Sequence, residues 1–150
     1  MTPFLRLPEI TQIAAVVSTY PVLRERLLTI QRAIGGKGGV VVEGRDMGTV
    51  VFPCADIKFY LDASLSVRGR RRYNELHEKN AAVNPDEVTH NIKVRDTSDQ
   101  ERTAAPLKRA SDAILIDSTT LSLQGVLERM IAEIERHLTN SEIVERLRMP

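Results

Sequence analysis

The feature that most constrains the fold is a charged segment between two short apolar runs. The runs, Val40–Val42 and Ile57–Leu61, have the composition of buried strands. The segment between them, Gly44–Pro53, carries Arg45 and Asp46. Charges between two buried strands usually lie at the carboxyl end of a parallel sheet, where open α/β folds bind ligands. The segment therefore predicts a ligand site or, as the structural alternative, a salt bridge that closes a loop.

Helical and strand-like patterns alternate along the rest of the chain, which predicts parallel βαβ units and an α/β fold. A third strand is expected at 113–116, and helices are expected at 8–18, 21–34, 64–79 and 86–94, with a long helix after 118–120. Gly35 and Gly36 are expected to end the second helix in the left-handed cap conformation. Any of Ser118, Thr119 and Thr120 is expected to cap the last helix.

Length and composition indicate one globular domain and argue against several functions. The 150 residues have a formal net charge of +1, which disfavours general nucleic-acid binding and membrane adsorption. The single cysteine, Cys54, cannot form an intrachain disulfide, and this suits a cytoplasmic protein. No apolar run approaches the length of a membrane span, and no secretion signal is visible. The three histidines lack the spacing of metal ligands, so no metal site is predicted.

An arginine-rich stretch lies on the helix expected at 64–79 and contains Arg68, Arg70, Arg71 and Arg72. Three interpretations remain open for it: a solvated helix face, a surface that binds RNA, or a mobile lid that brings arginines onto phosphates. The near-neutral charge of the chain makes the nucleic-acid interpretation the weakest of the three.

A second polar group consists of Arg95, Asp99 and Arg102. Spacings of four and three residues place these side chains on one face of a helix. The guanidinium fork matches phosphate oxygens, and a carboxylate accepts hydrogen bonds from hydroxyls or amines. The group is therefore either a site for a nucleotide-like anion or an intrahelical ladder of ion pairs.

The glycine-rich segment Gly35–Gly39 is not a phosphate-binding loop. The Walker pattern requires Gly-x4-Gly-Lys followed by Ser or Thr, between a strand and a helix. Here residue 38 is glycine, and the segment follows a helical pattern and enters an apolar run. No other segment of the chain fits the pattern.

Taken in order, these motifs resemble those of bacterial cytidylate kinases, the (d)CMP kinases of the nucleoside monophosphate kinase group. The similarity covers about residues 5–138. The matching segments are Leu5–Ile10, Gly44–Pro53, Leu61–Ser64, Arg68 with Arg71 and Arg72, Arg95–Leu107, and Ser111–Thr120. The resemblance implies a P-loop NTPase-like parallel sheet with flanking helices and a lid. It also implies transfer of the γ-phosphoryl group of ATP to CMP or dCMP, with Mg²⁺.

The resemblance assigns a CMP-binding role to several residues. Arg6, Asp46 and Arg102 are expected to contact the cytosine. Asp99 is expected to hold the sugar hydroxyls, with Arg95 near the phosphate. Aspartate and arginine side chains can hydrogen-bond to the donors and acceptors on the edge of a base. A wrong base leaves these side chains without partners and therefore binds more weakly.

The same resemblance places the remaining arginines around the phosphates. Arg45 is expected on the CMP side, while Arg68, Arg71 and Arg72 correspond to a lid that closes over ATP. Arg71 and Arg95 are the expected catalytic residues. Phosphoryl transfer depends on positioning and charge stabilisation, so cations around the phosphates have a clear purpose.

The chain departs from the family pattern at its start. Family members begin with a strand and a Gly-x4-Gly-Lys-Gly-Thr loop, whereas this sequence starts downstream of both, and Leu7 replaces a common threonine. In the family that strand lies between the strands expected at 40–42 and 59–61, so an incomplete fold is expected. The loop holds the ATP phosphates and Mg²⁺. We therefore expect negligible kinase activity from this chain alone and no Mg²⁺ site held by it.

These expectations divide the chain into three parts. Residues 1–36 are expected to be a remnant of the nucleoside-monophosphate-binding region with its connecting helix, 37–139 the core and lid, and 140–150 a peripheral tail. The expected partners are CMP or dCMP, ATP and an N-terminal segment supplied in trans, as in a split kinase, without nucleic acid or membrane. A non-catalytic CMP-binding or regulatory module is the alternative.

Overall fold

The computed structural model describes residues 8–17, 20–78 and 82–140. These residues form an α/β structure, which confirms the predicted class. The elements in chain order are α1 (Pro8–Val17), α2 (Pro21–Gly35), a π-helical turn (Met47–Val51), β1 (Phe59–Asp62), α3 (Leu65–Glu78), α4 (Pro85–Glu101), β2 (Ile114–Asp117) and α5 (Leu123–Asn140). The tail predicted after Asn140 lies outside the described residues.

β1 and β2 are paired in parallel. Phe59 lies opposite Ile114, and Asp62 lies opposite Asp117. α3 and α4 form the crossover that a parallel pair requires. Ile116 of β2 is the most deeply buried large side chain, with 1% of its surface exposed. The register brings the carboxyl ends of both strands to the same edge of the sheet.

The strand predicted at Val40–Val42 is not formed. This segment has no regular secondary structure, and Val41 is fully exposed. A strand needs a neighbour that exchanges backbone hydrogen bonds with it, and the sheet within the described residues consists of β1 and β2. The apolar composition therefore predicted a strand for which that part of the chain supplies no pairing partner.

α3 and α4 approach each other closely where Gly69 meets Thr89. Gly69 is buried, and a methyl group in place of its hydrogen would collide with the Thr89 side chain. α4 begins after Asn84, whose Oδ1 accepts the backbone N–H of Asp86 at 2.8 Å as an N-terminal cap. The contact fixes α4, which carries part of the candidate site, against α3.

Two helix ends differ from the prediction. α4 continues to Glu101 instead of ending near Val94, because residues 95–101 contain no glycine or proline that would break it. α5 is capped by Ser122, whose hydroxyl accepts the N–H of Gly125 at 3.0 Å. The residues predicted to cap α5, 118–120, precede that position, and the Ser118 hydroxyl donates to the carbonyl of Asp62 instead.

α2 ends as predicted, although its cap geometry differs. Gly36 has φ −65°, which is right-handed, and its N–H donates to the carbonyl of Arg32 at 2.8 Å. The left-handed backbone comes later, at Gly38 and Gly39, with φ of 72° and 64°. Helical hydrogen bonding therefore extends to Gly36, and the reversal follows it.

The predicted apolar faces of α1 and α2 are helical but exposed. Ile13, Leu27 and Ile34 all lie at the surface. The buried apolar residues within the described ranges are Val51, Ala63, Val88 and Ile116. No helix in that part of the chain has the length and apolar character needed to cross a membrane.

Candidate functional site

Asp46 is held at the start of the π-helical turn. Its carbonyl accepts backbone N–H groups of Thr49, Val50 and Val51 at 3.3, 2.9 and 3.2 Å. Its carboxylate accepts a hydrogen bond from Nη2 of Arg24 at 2.5 Å, and 12% of the side chain is exposed. π-helical segments occur frequently at functional sites. Here the turn fixes the backbone of Asp46 while α2 fixes its carboxylate.

Asp99 lies in the last turn of α4 and is surrounded by arginines. Its Oδ2 lies 3.2 Å from Nε of Arg45 and 3.9 Å from Nε of Arg95. Its Oδ1 lies 3.6 Å from Nη1 of Arg102. The predicted meeting of Arg95, Asp99 and Arg102 is therefore formed. Arg45 joins them from a distant segment, so the group is more than an intrahelical ladder.

Arg102 connects the two carboxylates. Its Nη2 lies 3.9 Å from Asp46, and its Nε donates to the carbonyl of Ala105 at 2.5 Å. Ala105 has φ 52°, a left-handed conformation that is uncommon for a residue other than glycine. These contacts define one group of side chains, called here the arginine–aspartate cluster: Arg24, Arg45, Asp46, Arg95, Asp99 and Arg102.

The arginine–aspartate cluster has the charge and hydrogen-bonding capacity of an anion site. Its four arginines and two aspartates leave a formal charge of +2. Oδ2 of Asp99 and Nη2 of Arg102 are buried without a hydrogen-bond partner, although both lie within ion-pair distance of an opposite charge. Buried polar atoms are normally hydrogen-bonded. The cluster can therefore accept a ligand that offers both a donor and an acceptor.

The arginines predicted to form a lid lie on α3, in a separate group. Arg71 donates from Nη1 to the Ser118 hydroxyl at 3.0 Å and from Nη2 to the Ser118 carbonyl at 2.6 Å. Arg72 pairs with Glu75 at 2.7 Å. The structure thus does not bring Arg71 and Arg72 into the arginine–aspartate cluster.

Arg68 ties this group to the helix that carries Asp99. Its Nε donates to the carbonyl of Ala63 at 2.9 Å, and its Nη1 forms an ion pair with Asp96 of α4. Asp96 lies within the matching segment Arg95–Leu107, but no role was predicted for it. The guanidinium groups of Arg68 and Arg71 bond to other parts of the chain. These two arginines therefore do not belong to a solvated face of α3.

A polar edge lies at the carboxyl ends of β1 and β2, beside Arg71. The Ser118 hydroxyl donates to the carbonyl of Asp62 at 2.9 Å, and the Thr119 hydroxyl accepts the N–H of Ser64 at 2.9 Å. Hydrogen bonds from the side chain and then the backbone of Thr119 lower the pKa of Asp117. Ligands of open α/β sheets bind at such an edge.

For two arginines, the predicted site and the observed cluster cannot be matched. Arg6, predicted to contact the base, lies outside the described residues. Arg24 was missed because no motif surrounds it and 22 residues separate it from Asp46. The available signal was weak: an arginine on a helix that precedes the Gly44–Pro53 segment.

The described residues do not fit a Mg²⁺ site. Among residues 8–17, 20–78 and 82–140, no group of three or more His, Cys, Asp or Glu could hold a metal ion. Asp46 and Asp99 are both engaged by arginines, which compete with a cation for the carboxylate oxygens. No chemical step at this site is therefore assigned to a metal held by these residues.

Comparison with known proteins identifies the family that has these motifs. The family model described as cytidylate kinase matches residues 1–136. The cytidylate kinase of Syntrophotalea carbinolica is 47% identical over 127 residues, which are 85% of this chain and 54% of that protein. That of Geobacter sulfurreducens is 49% identical over 130 residues, 87% of this chain and 56% of that protein. That of Pasteurella multocida is 42% identical over 134 residues, which are 89% of this chain and 59% of that protein.

The chain thus spans 54–59% of the length of these three curated relatives. The matched range contains every residue of the arginine–aspartate cluster and the arginines of α3. The resemblance seen in the motifs is confirmed. Because the family model matches nearly the whole chain, and three relatives share more than two fifths of their aligned residues with it, the chain belongs to the cytidylate kinase family.

Proposed function

We propose that this chain carries the CMP-binding part of a kinase that transfers the γ-phosphoryl group of ATP to CMP or dCMP, giving CDP or dCDP. The arginine–aspartate cluster, with its two buried polar atoms that lack a hydrogen-bond partner, is the observation that carries the proposal. A nucleoside monophosphate offers phosphate oxygens to the arginines. Its hydroxyl and amine groups are donors for the carboxylates.

Asp46 and Arg102 recognise the cytosine in this proposal, with Arg6 as a further base contact. The exocyclic amine of cytosine donates to the Asp46 carboxylate, and Arg102 donates to the acceptors of the ring. Uracil has a carbonyl oxygen in place of the amine, so UMP would set an acceptor against the Asp46 carboxylate. The unpaired buried groups would then discriminate against uracil.

Asp99 accepts hydrogen bonds from the sugar hydroxyls, while Arg95 and Arg45 bind the CMP phosphate. Without ligand, Asp99 gathers both arginines, with Arg45 Nε at 3.2 Å and Arg95 Nε at 3.9 Å. This arrangement supports pre-organisation, because the guanidinium groups are already positioned when the phosphate arrives. The phosphate then replaces the carboxylate as their main partner.

Arg71 and Arg95 are the proposed catalytic arginines, and Arg68, Arg71 and Arg72 form the proposed lid over ATP. Phosphoryl transfer requires cations around the moving group and exclusion of water. Arg71 bonds to Ser118 at the edge where both strands end. Lid closure in this proposal exchanges those bonds for phosphate oxygens, which is a small change of partner rather than of fold.

The complete reaction also needs a phosphate-binding loop, and Mg²⁺ enters with ATP as part of the substrate. The 150 residues contain no Gly-x4-Gly-Lys-Ser/Thr segment. We propose that a P-loop NTPase-like fold is completed by a segment that carries this loop, either joined to the chain or supplied in trans. Residues 1–36 then belong to the CMP-binding region and 37–139 to the core and lid.

Titration calorimetry of the chain with CMP tests the binding proposal. We expect saturable binding that Asp99→Ala abolishes, because Asp99 loses both its ligand contact and its hold on three arginines. Asp56→Ala is the matched control, since Asp56 is exposed and makes no ion pair or hydrogen bond within the described residues. No CMP binding by the unaltered chain, or equal binding by both variants, would refute the proposal.

A non-catalytic CMP-binding or regulatory module is the second candidate, favoured by a cluster whose six residues all belong to this chain. CMP-dependent formation of ADP separates the two candidates. A kinase is expected to show this activity once the loop-bearing segment of a relative is added, and the activity should fall with Arg95→Met. Binding without any such activity would identify a module.

A further inference from the structure

We infer that Arg32 is a positioning residue for base recognition, an inference that rests on the proposed function. Arg32 lies on α2, eight residues after Arg24. Its Nε donates to the carbonyl of Val51 at 3.1 Å, and its Nη2 donates to the carbonyl of Val50 at 2.7 Å. Both carbonyls belong to the last residues of the π-helical turn that starts from Asp46.

These two bonds satisfy carbonyl groups at the end of the turn that have no donor within the turn. The carbonyl groups of the last residues of a helix receive no hydrogen bond from a backbone N–H of that helix. A cationic side chain placed there can donate to them. The start of the turn is closed from within, by N–H groups that donate to the Asp46 carbonyl and by the bond from Phe52 to Met47 at 2.7 Å. Arg32 therefore supplies the donors that the carbonyls of Val50 and Val51 lack within the turn.

Side chains of α2 thus bind the turn at both of its ends. Arg24 binds the Asp46 carboxylate, Arg32 binds the terminal carbonyls, and the Phe52 ring packs against Gly35. Because the turn is short, loss of its last two carbonyl bonds changes the backbone from which the Asp46 side chain projects. The Asp46 carboxylate can face a cytosine amine only while that backbone keeps its form.

The first test measures the turn without ligand. Amide hydrogen exchange of residues 49–52 should speed up at least about tenfold in Arg32→Met, because the loss of even one of the two charge-assisted hydrogen bonds changes a local opening equilibrium by about that factor. Arg32→Lys, which keeps the charge without the fork, should fall in between. Arg26→Met is the matched control, because Arg26 lies on the same helix, is exposed and forms no hydrogen bond or ion pair with the described residues. Amides of α3 and α4 report whether each variant is folded.

The second test measures ligand choice. In Arg32→Met the affinity for CMP should fall roughly tenfold while that for UMP changes less than about twofold, so the CMP-to-UMP ratio drops. A general loss of structure would lower both affinities together. Unchanged exchange, or an unchanged ratio despite faster exchange, overturns the inference. If the unaltered chain binds no CMP, the proposed function fails as well, whereas normal CMP binding by Arg32→Met overturns this inference alone.

Discussion

The carboxylate of Asp46 and the guanidinium of Arg24 are joined by a 2.5 Å hydrogen bond across 22 residues of sequence. Both side chains are largely covered, with exposures of 12% and 21%. The pair links α2 to the π-helical turn and fixes the one carboxylate that the proposed function directs at the base. Charge-assisted bonds of this kind are stronger than neutral ones.

Removing this pair should weaken CMP binding. In Arg24→Met we expect the affinity to fall by at least about tenfold, because a hydrogen bond between charged groups is worth about 1.5–3 kcal/mol and 1.4 kcal/mol is tenfold. Titration calorimetry measures the change. Arg26→Met should bind CMP as the unaltered chain does. Equal affinity in Arg24→Met and the unaltered chain would show that Arg24 does not orient Asp46.

The contact between Gly69 and Thr89 should make Gly69→Ala destabilising. An added methyl group would collide with the Thr89 side chain, and overpacking costs about 1–3 kcal/mol, against roughly 1 kcal/mol gained in helix propensity. Denaturant unfolding should therefore show a net loss of up to about 2 kcal/mol. The loss should shrink in a Thr89→Ala background. A loss that Thr89→Ala leaves unchanged would place the strain elsewhere.

The cap of α5 predicts that removing the Ser122 hydroxyl destabilises the fold more than removing the Thr120 hydroxyl. Ser122→Ala should lower the free energy of unfolding by about 1 kcal/mol, because the N–H of Gly125 loses its acceptor. Thr120→Ala, at an exposed residue that the sequence offered as a cap, should have little effect. Thermal unfolding of the two variants under the same conditions measures the difference. The reverse order would move the cap to Thr120.

The Lys58–Asp112 pair predicts acid sensitivity. The hydrogen bond from Lys58 lowers the pKa of Asp112 below its ordinary value of 3.8, so the folded state favours the ionised carboxylate. The resulting stabilisation is present above the unfolded pKa and is lost as pH falls through the folded one. Asp112→Asn should therefore make unfolding midpoints less dependent on pH below about 4. Asp56→Asn is the control, and a pH dependence altered equally by both would contradict the assignment.

Local patterns correctly predicted much of this fold. The apolar period located α1, α2, α3 and α5, and two of the three expected strands are present in parallel register. The spacing of Arg95 and Asp99 was sufficient to predict their meeting, because residues four apart on a helix are neighbours. Each of these predictions depends on residues that are close in sequence, where geometry follows from the helix or strand itself.

The errors arose where a distant partner decides the outcome. Val40–Val42 has strand composition but no ladder neighbour in the described residues, so it remains irregular. The Ser118 hydroxyl donates to Asp62 across 56 residues instead of capping α5. The preference for a strand was not realised because no pairing partner lies beside it among the described residues, and the preference for a cap was overruled because the Ser118 hydroxyl bonds elsewhere.

The sequence by itself determined the family, the helices and most residues of the arginine–aspartate cluster, because these follow from motif and period. The tertiary structure decided which of those residues meet. It brought Arg24 and Arg45 to Asp46 and Asp99, formed the π-helical turn that Arg32 holds, and kept Arg71 at the strand ends. Contacts between elements depend on how helices and turns pack, and packing brings together charges that no spacing along the chain relates.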